Sequence, residues 1–144
     1  MQKMRRLVYA AITVLAGTSL ALLPSSAFAA DVDGSSYRYC ANAYGFYDYT
    51  RDGSAAGYPK YDTSGVVAVR LNTTCGWIDG GVLQYTGYEY RAGVWRQIPW
   101  QEPWSNGFGD YSVKFNDVRD IRLRVCNIQV VDAADKISGC GVVS

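Results

Sequence analysis

The residues able to do chemistry in this chain are set first by an absence. Its 144 residues include no histidine. That excludes Ser-His-Asp and Cys-His nucleophilic machinery and the commonest general base. It also removes most transition-metal sites. No glycine-rich phosphate loop is present. Carboxylates remain. Glu89 and Glu102 are the only glutamates. Either one, with Asp79 or Asp110, would form a glycosidase-type pair if the fold held two carboxyls roughly 5–10 Å apart. Scattered acids more commonly cap turns and solvate strands, so the expectation is a protein that is not an enzyme. Asp31-Val32-Asp33-Gly34 opens like a calcium loop but lacks the later ligands. No metal and no other cofactor is expected. Asn72-Thr73-Thr74 matches a glycosylation sequon.

Cys40, Cys75, Cys126 and Cys140 are the remaining reactive groups. Their spacing contains no CxxC, and without histidine a zinc or haem site is poorly supported. Four cysteines in an exported domain read as two disulfides. Three pairings are open, and Cys40–Cys75 with Cys126–Cys140 is favoured. The second pair flanks the polar stretch Asp132 to Gly139, which reads as a hairpin turn. A bridge closing a loop of that size adds about 3 kcal/mol in the chain-entropy model. With all four bridged, no thiol nucleophile is left.

The compartment follows from the first 29 residues. Lys3, Arg5 and Arg6 precede an uncharged run from Leu7 to Leu23. Pro24, Ser25 and Ser26 break it, and Ala27-Phe28-Ala29 supplies small residues for cleavage after Ala29. This is a secretory signal pattern. The apolar run is short for a membrane span and ends in a cleavage site. The expected product is one secreted, extracellular β domain, residues 30–144. It holds all 13 acids but only 11 of the 14 bases, for a net charge of −2. A near-neutral chain with no basic cluster argues against nucleic acid or an anionic membrane as partner.

Strand signals fill that domain. Val67, Val69 and Leu71 alternate with Ala68, Arg70 and Asn72. Ile121, Leu123 and Val125 alternate with Arg122, Arg124 and Cys126. Val113 and Phe115 form a shorter run. Each is a period-2 pattern with one buried face. Val82 to Arg91 and Val94 to Trp100 are rich in aromatic and β-branched residues, with Ala92-Gly93 between them as a two-residue turn. Asp79-Gly80-Gly81 and Asn106-Gly107 read as turns, Gly53 to Pro59 as a loop, and Asp132 to Lys136 as at most one helical turn. The expected fold is all-β: an antiparallel β-sandwich or small barrel of about seven strands with two disulfides. Cys126 shares a strand face with Arg122 and Arg124, so its bridge is expected to staple adjacent strands on the outer face.

Aromatic content is the unusual feature. Residues 30–144 hold eleven Tyr, four Trp and three Phe. From Tyr44 to Tyr49 they occupy both faces of one strand, so some rings must reach solvent. Exposed Tyr and Trp anchor protein interfaces. The segment Trp95 to Trp104 is the expected contact surface, with Trp95, Arg96, Trp100 and Trp104 as anchors and Pro99 and Pro103 stiffening it.

Trp95-Arg96-Gln97 resembles the Trp-Arg-Tyr tip of the small secreted amylase inhibitors of the tendamistat type, which are also all-β with two disulfides. Here the third residue is Gln97 and the cysteine spacing differs. The chain also resembles the small exported, Cys-bridged all-β proteins of actinobacterial type, a likeness that names a class without assigning a site. The function expected is a secreted, non-catalytic domain that binds another protein, as an inhibitor or as a subunit of an exported assembly. The alternative is a carbohydrate-binding module that stacks polysaccharide on an aromatic platform. A carboxylate-dependent, glycosidase-like enzyme is the second alternative.

Overall fold

The computed structural model describes residues 27–102 and 108–144. Most of the expected signal segment lies outside them, as do Pro103, Trp104 and the expected Asn106-Gly107 turn. Seven strands account for most of the rest: β1 (Ala27–Ser35), β2 (Ala41–Ala55), β3 (Tyr58–Leu71), β4 (Gly80–Arg91), β5 (Val94–Gln101), β6 (Gly109–Val131) and β7 (Ala134–Val143). A single 3-10 turn, Tyr37–Tyr39, links β1 to β2. The all-β class, the antiparallel pairing, the strand number and both favoured disulfides are as expected.

The strands form one sheet in the order β3-β2-β1-β7-β6-β4-β5, and a further β3–β6 pairing closes it. The arrangement is the small barrel rather than two stacked sheets. β6 makes this possible. Twenty-three residues is too long for one straight strand in a domain this small. Asp117 and Asp120 adopt positive φ (54° and 53°), and the ladders slip beside them. Such bulges bend a strand and increase its twist. The first half of β6 therefore pairs with β3, and the second half runs between β4 and β7.

The other closing contact is thin. β1 meets β7 at Gly34↔Val143 alone, reinforced by reciprocal backbone hydrogen bonds between Asp33 and Ser144 (3.2 and 3.0 Å). Glycine is required here. A Cβ on Gly141 would stand 1.8 Å from the Ser35 carbonyl oxygen.

Inward-facing residues of every strand fill the barrel, among them Val32, Tyr47, Val67, Leu83, Ile98, Val113, Val125 and Val143. The Ile121, Leu123 and Val125 face is buried as expected. In the other run Val67 and Val69 are buried, but Leu71 at the strand end is exposed and Ala68 of the opposite face is buried. Tyr47 is the largest fully buried side chain, and burial pushes its phenol well above the ordinary tyrosine pKa. Tyr44 and Phe46 of the same strand point outward, so β2 does carry rings on both faces.

Three expectations about connections are corrected. Gly53 to Pro59 is not a loop. The β2–β3 ladder runs almost to its tip, and only Ala56-Gly57 turns the chain. Gly80 and Gly81 are buried residues of β4 rather than turn residues. Asp132 to Lys136 forms no helical turn, and the hairpin turn within Asp132 to Gly139 is only Asp132-Ala133, with β7 beginning at Ala134. The common reason is the tight two-residue turn. Ala56-Gly57, Ala92-Gly93 and Asp132-Ala133 all have positive φ at both positions, the twist that lets adjacent strands pair up to the bend.

The disulfides stand at two small clusters outside the main core. Cys126–Cys140 joins neighbouring β6 and β7 on the outer face, as expected. Cys126 is nevertheless fully buried, because Val82, Ile128 and Ile137 cover it. Cys40–Cys75 packs with Ile78 beneath the β1–β2 connection. The residues of the expected cleavage site lie in β1, where Ala27 to Ala29 pair with Thr50 to Asp48. A strand beginning at Ala30 would keep the pairings from Ala30↔Tyr47 onward, including buried Val32.

Candidate functional site

The anchors expected between Trp95 and Trp104 do not form one patch among the described residues. Trp95 and Arg96 are adjacent in β5 and so project to opposite faces. Trp95 is half-buried. Its indole N–H donates to the Ala55 carbonyl at 3.0 Å, and its ring lies 5.3 Å from Tyr90. Arg96 is exposed, opposite Glu89. Between Ile98 and Gln101, β5 carries one residue more than β4. That bulge places Trp100 against the outer-face Arg124, whose guanidinium lies 3.9 Å from the ring centroid. Trp104 lies outside the described residues.

A second bulge supplies the other half of this surface. From Thr86 to Tyr88, β4 advances two residues while β6 advances three, from Arg122 back to Arg119. The extra residue brings Arg119 to the same outer face as Arg122 and Arg124. There Arg119 is held by three rings: Tyr58 at 3.9 Å, Tyr88 at 4.4 Å and Trp95 at 5.0 Å. Trp95 and Trp100 thus each have an arginine of this protein over the ring, though Trp100 stays 40% exposed. Burial also lowers the pKa of Arg124 from its ordinary value.

The most exposed aromatic group among the described residues is elsewhere, in the tyrosine-rich stretch before β2, which was not expected as the contact surface. Tyr37-Arg38-Tyr39 protrudes between β1 and β2. Tyr37 is 59% and Tyr39 71% exposed, against 40% for Trp100. The guanidinium of Arg38 lies 5.3 Å from the Tyr37 ring. Arg38 and Tyr39 both have positive φ (60° and 59°), a conformation that non-glycine residues hold only when their surroundings enforce it.

Those surroundings are explicit. The Ser36 amide donates to the Ala41 carbonyl at 2.8 Å, and the Tyr39 amide donates to the Ser36 carbonyl at 2.9 Å. The Ser36 hydroxyl donates to Asn127 Oδ1 at 2.5 Å and accepts from the Ala41 amide at 2.8 Å. Asn127 Nδ2 donates to the Tyr37 carbonyl at 3.2 Å. Ser36 and Asn127 are both buried, so this polar pair is strong and costly to leave half-made. Cys40–Cys75 ties down the far end. Gly139 has φ 58°, and a Cβ there would stand 2.7 Å from Tyr37 Cβ. β7 can seat the tip only with glycine at that position. A tyrosine-rich segment beside a cysteine was legible in sequence. Its clamping by an asparagine ninety-one residues from Ser36 was not.

The acids considered for catalysis occupy separate settings. Asp79 accepts the Val130 amide at 2.7 Å. Asp110 pairs with Arg70 at 2.5 Å. Glu102 accepts from Gln84 at 3.4 Å. Glu89 lines an open cleft of about 520 Å³ with Tyr85, Lys114 and Phe115, and burial and its charge raise the pKa of the Tyr85 phenol. Among the described residues, no group of three or more acids or cysteines is disposed to hold a metal ion. Comparison with known proteins adds no relative: no family model, no curated protein and no solved structure matches this chain.

Proposed function

We propose that this is a secreted, non-catalytic domain that binds another protein, as an inhibitor or an assembly subunit, through the Tyr37-Arg38-Tyr39 tip. One observation carries the reading. Two adjacent-but-one tyrosines are exposed while their backbone is fixed by a disulfide and a buried polar clamp. Exposed rings on a rigid loop lose little entropy on docking, and that preorganisation is what turns contact area into affinity. The aromatic–arginine–aromatic order suits an apolar partner pocket containing a carboxylate, which the Arg38 fork would engage. The test is affinity capture from the producer's culture supernatant with the oxidised protein, comparing it with the Tyr37→Ala/Tyr39→Ala double variant. A partner held by the wild type and lost at least tenfold by the variant supports the reading. A partner held equally by both sinks it.

A second reading is favoured by Tyr44 and Phe46. They stand two residues apart on the outer face of β2, 51% and 47% exposed. Strand geometry spaces such rings by ~7 Å in one row, a short platform of the kind on which sugar rings stack. Retention on insoluble polysaccharide that is lost in Tyr44→Ala/Phe46→Ala, with the tip intact, would favour carbohydrate over protein.

A further inference from the structure

We propose that the cleft beside Arg119 is a binding site for a small oxyanion-bearing group, a function separate from the tip. The cleft lies on the outer face where β4, β5 and β6 meet. It has a volume of about 300 Å³ and is lined by Gly87, Tyr88, Gln97, Arg119, Asp120 and Arg122. That is at the lower end of small-ligand sites.

The charge decides the ligand's sign. Two guanidiniums face one carboxylate. Asp120 is already engaged, accepting from Arg119 Nη1 at 3.1 Å. Arg122 is exposed and has no ion pair, hydrogen bond or ring contact among the described residues. The Arg119 Nε is buried with no hydrogen-bond partner, so donors to a ligand come from the rest of its guanidinium, the side chain being 18% exposed, and from Arg122. The cleft therefore offers more N–H donors than acceptors, and its free positive charge is one guanidinium.

The cage supplies the second requirement. Tyr58, Tyr88 and Trp95 surround Arg119 within 5.0 Å. Ring faces hold a guanidinium without consuming its in-plane N–H groups. An ordinary surface arginine must be ordered to bind, at a cost of up to about 2 kcal/mol of rotamer entropy. Here that ordering is already done. A fixed guanidinium fork, a free second arginine and the amide of Gln97 converge on a concave space, which is the chemistry that grips carboxylate, sulfate or phosphate oxygens. The Thr86 hydroxyl, also on the lining, donates to the Ile98 carbonyl at 2.6 Å and holds β5 in place rather than facing a ligand.

The experiment titrates sodium acetate, sulfate and phosphate separately into the oxidised protein at constant ionic strength, followed by NMR of the arginine Nε–H signals. We expect saturable shifts of Arg119 and Arg122. Saturation by acetate assigns the site to planar carboxylates, and saturation by sulfate or phosphate assigns it to tetrahedral oxyanions. Asp120→Asn removes the competing carboxylate and should tighten binding about fivefold, and Arg122→Gln should weaken it by a similar factor. Arg122 is exposed, so its variant keeps the test valid if Asp120→Asn unfolds. Shifts that never saturate, or that ignore both substitutions, overturn the proposal.

Discussion

The tip at Tyr37–Tyr39 and the outer face at Trp95–Trp100 have similar composition, aromatic rings with arginine among them, and opposite fates. On the outer face, bulges in β5 and β6 bring Trp95 and Trp100 against Arg119 and Arg124, which reach them from β6 across β4. At the tip, Arg38 lies against Tyr37 within the same turn, β7 supports that turn from one side at Gly139, and both tyrosines stay open to solvent. Ring count therefore does not locate an exposed patch. What separates these two regions is the source of the cation: β6 at the outer face, the same turn at the tip.

Loss of the disulfide beneath the tip should cost the most stability. Cys40–Cys75 closes a separation of 35 residues, so the Cys40→Ala/Cys75→Ala variant should lose roughly 4 kcal/mol by the loop-entropy relation. Denaturant unfolding would measure it, and a loss below about 1 kcal/mol would mean the tip is held by its polar clamp alone. Asn127→Ala comes next. It strands the Ser36 hydroxyl and the Tyr37 carbonyl in a buried setting, at an expected 1–3 kcal/mol. Tip amides should lose hydrogen-exchange protection while those of β4 and β5 keep theirs.

The outer face predicts a smaller and asymmetric pair of effects. Trp95→Ala removes a cage wall and a hydrogen bond and should cost about 1–2 kcal/mol. Trp100→Ala removes one exposed ring over Arg124 and should cost about 0.5–1 kcal/mol. Equal losses would contradict the different settings given to the two tryptophans. The mildest effect is in alkali. Burial raises the pKa of Tyr47 above the ordinary 10.0, so the native state holds a proton that the unfolded chain releases near pH 10. Stability is then constant below that pH and falls as pH rises above it. Tyrosinate absorbance should show Tyr47 ionising only together with loss of near-UV dichroism. In Tyr47→Phe that coupling should weaken.

Much of the fold was legible because it depends on period and punctuation. The runs at Val67–Leu71 and Ile121–Val125 have the strand period, and the cysteines flanking Asp132 to Gly139 indicated their own pairing. The bends in β6 were not legible. Asp117 and Asp120 are ordinary acids in sequence, and only the pairing of one strand with three others explains their left-handed backbone. The candidate site was hidden for the same reason. Alternation alone separates Trp95 from Arg96, but a one-residue bulge decides where Trp100 faces. Ser36 and Asn127 carry no sequence signal for each other, being brought together by closure of the barrel.

The β1–β7 seam also sets the order in which the barrel can form. It joins residue 33 to residue 144 through two reciprocal hydrogen bonds and a glycine at position 141. The contact cannot exist until residue 144 is in place. The hairpins β2–β3, β4–β5 and β6–β7 can pair beforehand, because each is closed by a two-residue turn. Closure is then a late, long-range step, and late long-range pairing is slow. Without residues 141–144 the local hairpins would remain but the latch would be missing, leaving the edges of β1 and β7 open to pair with other molecules.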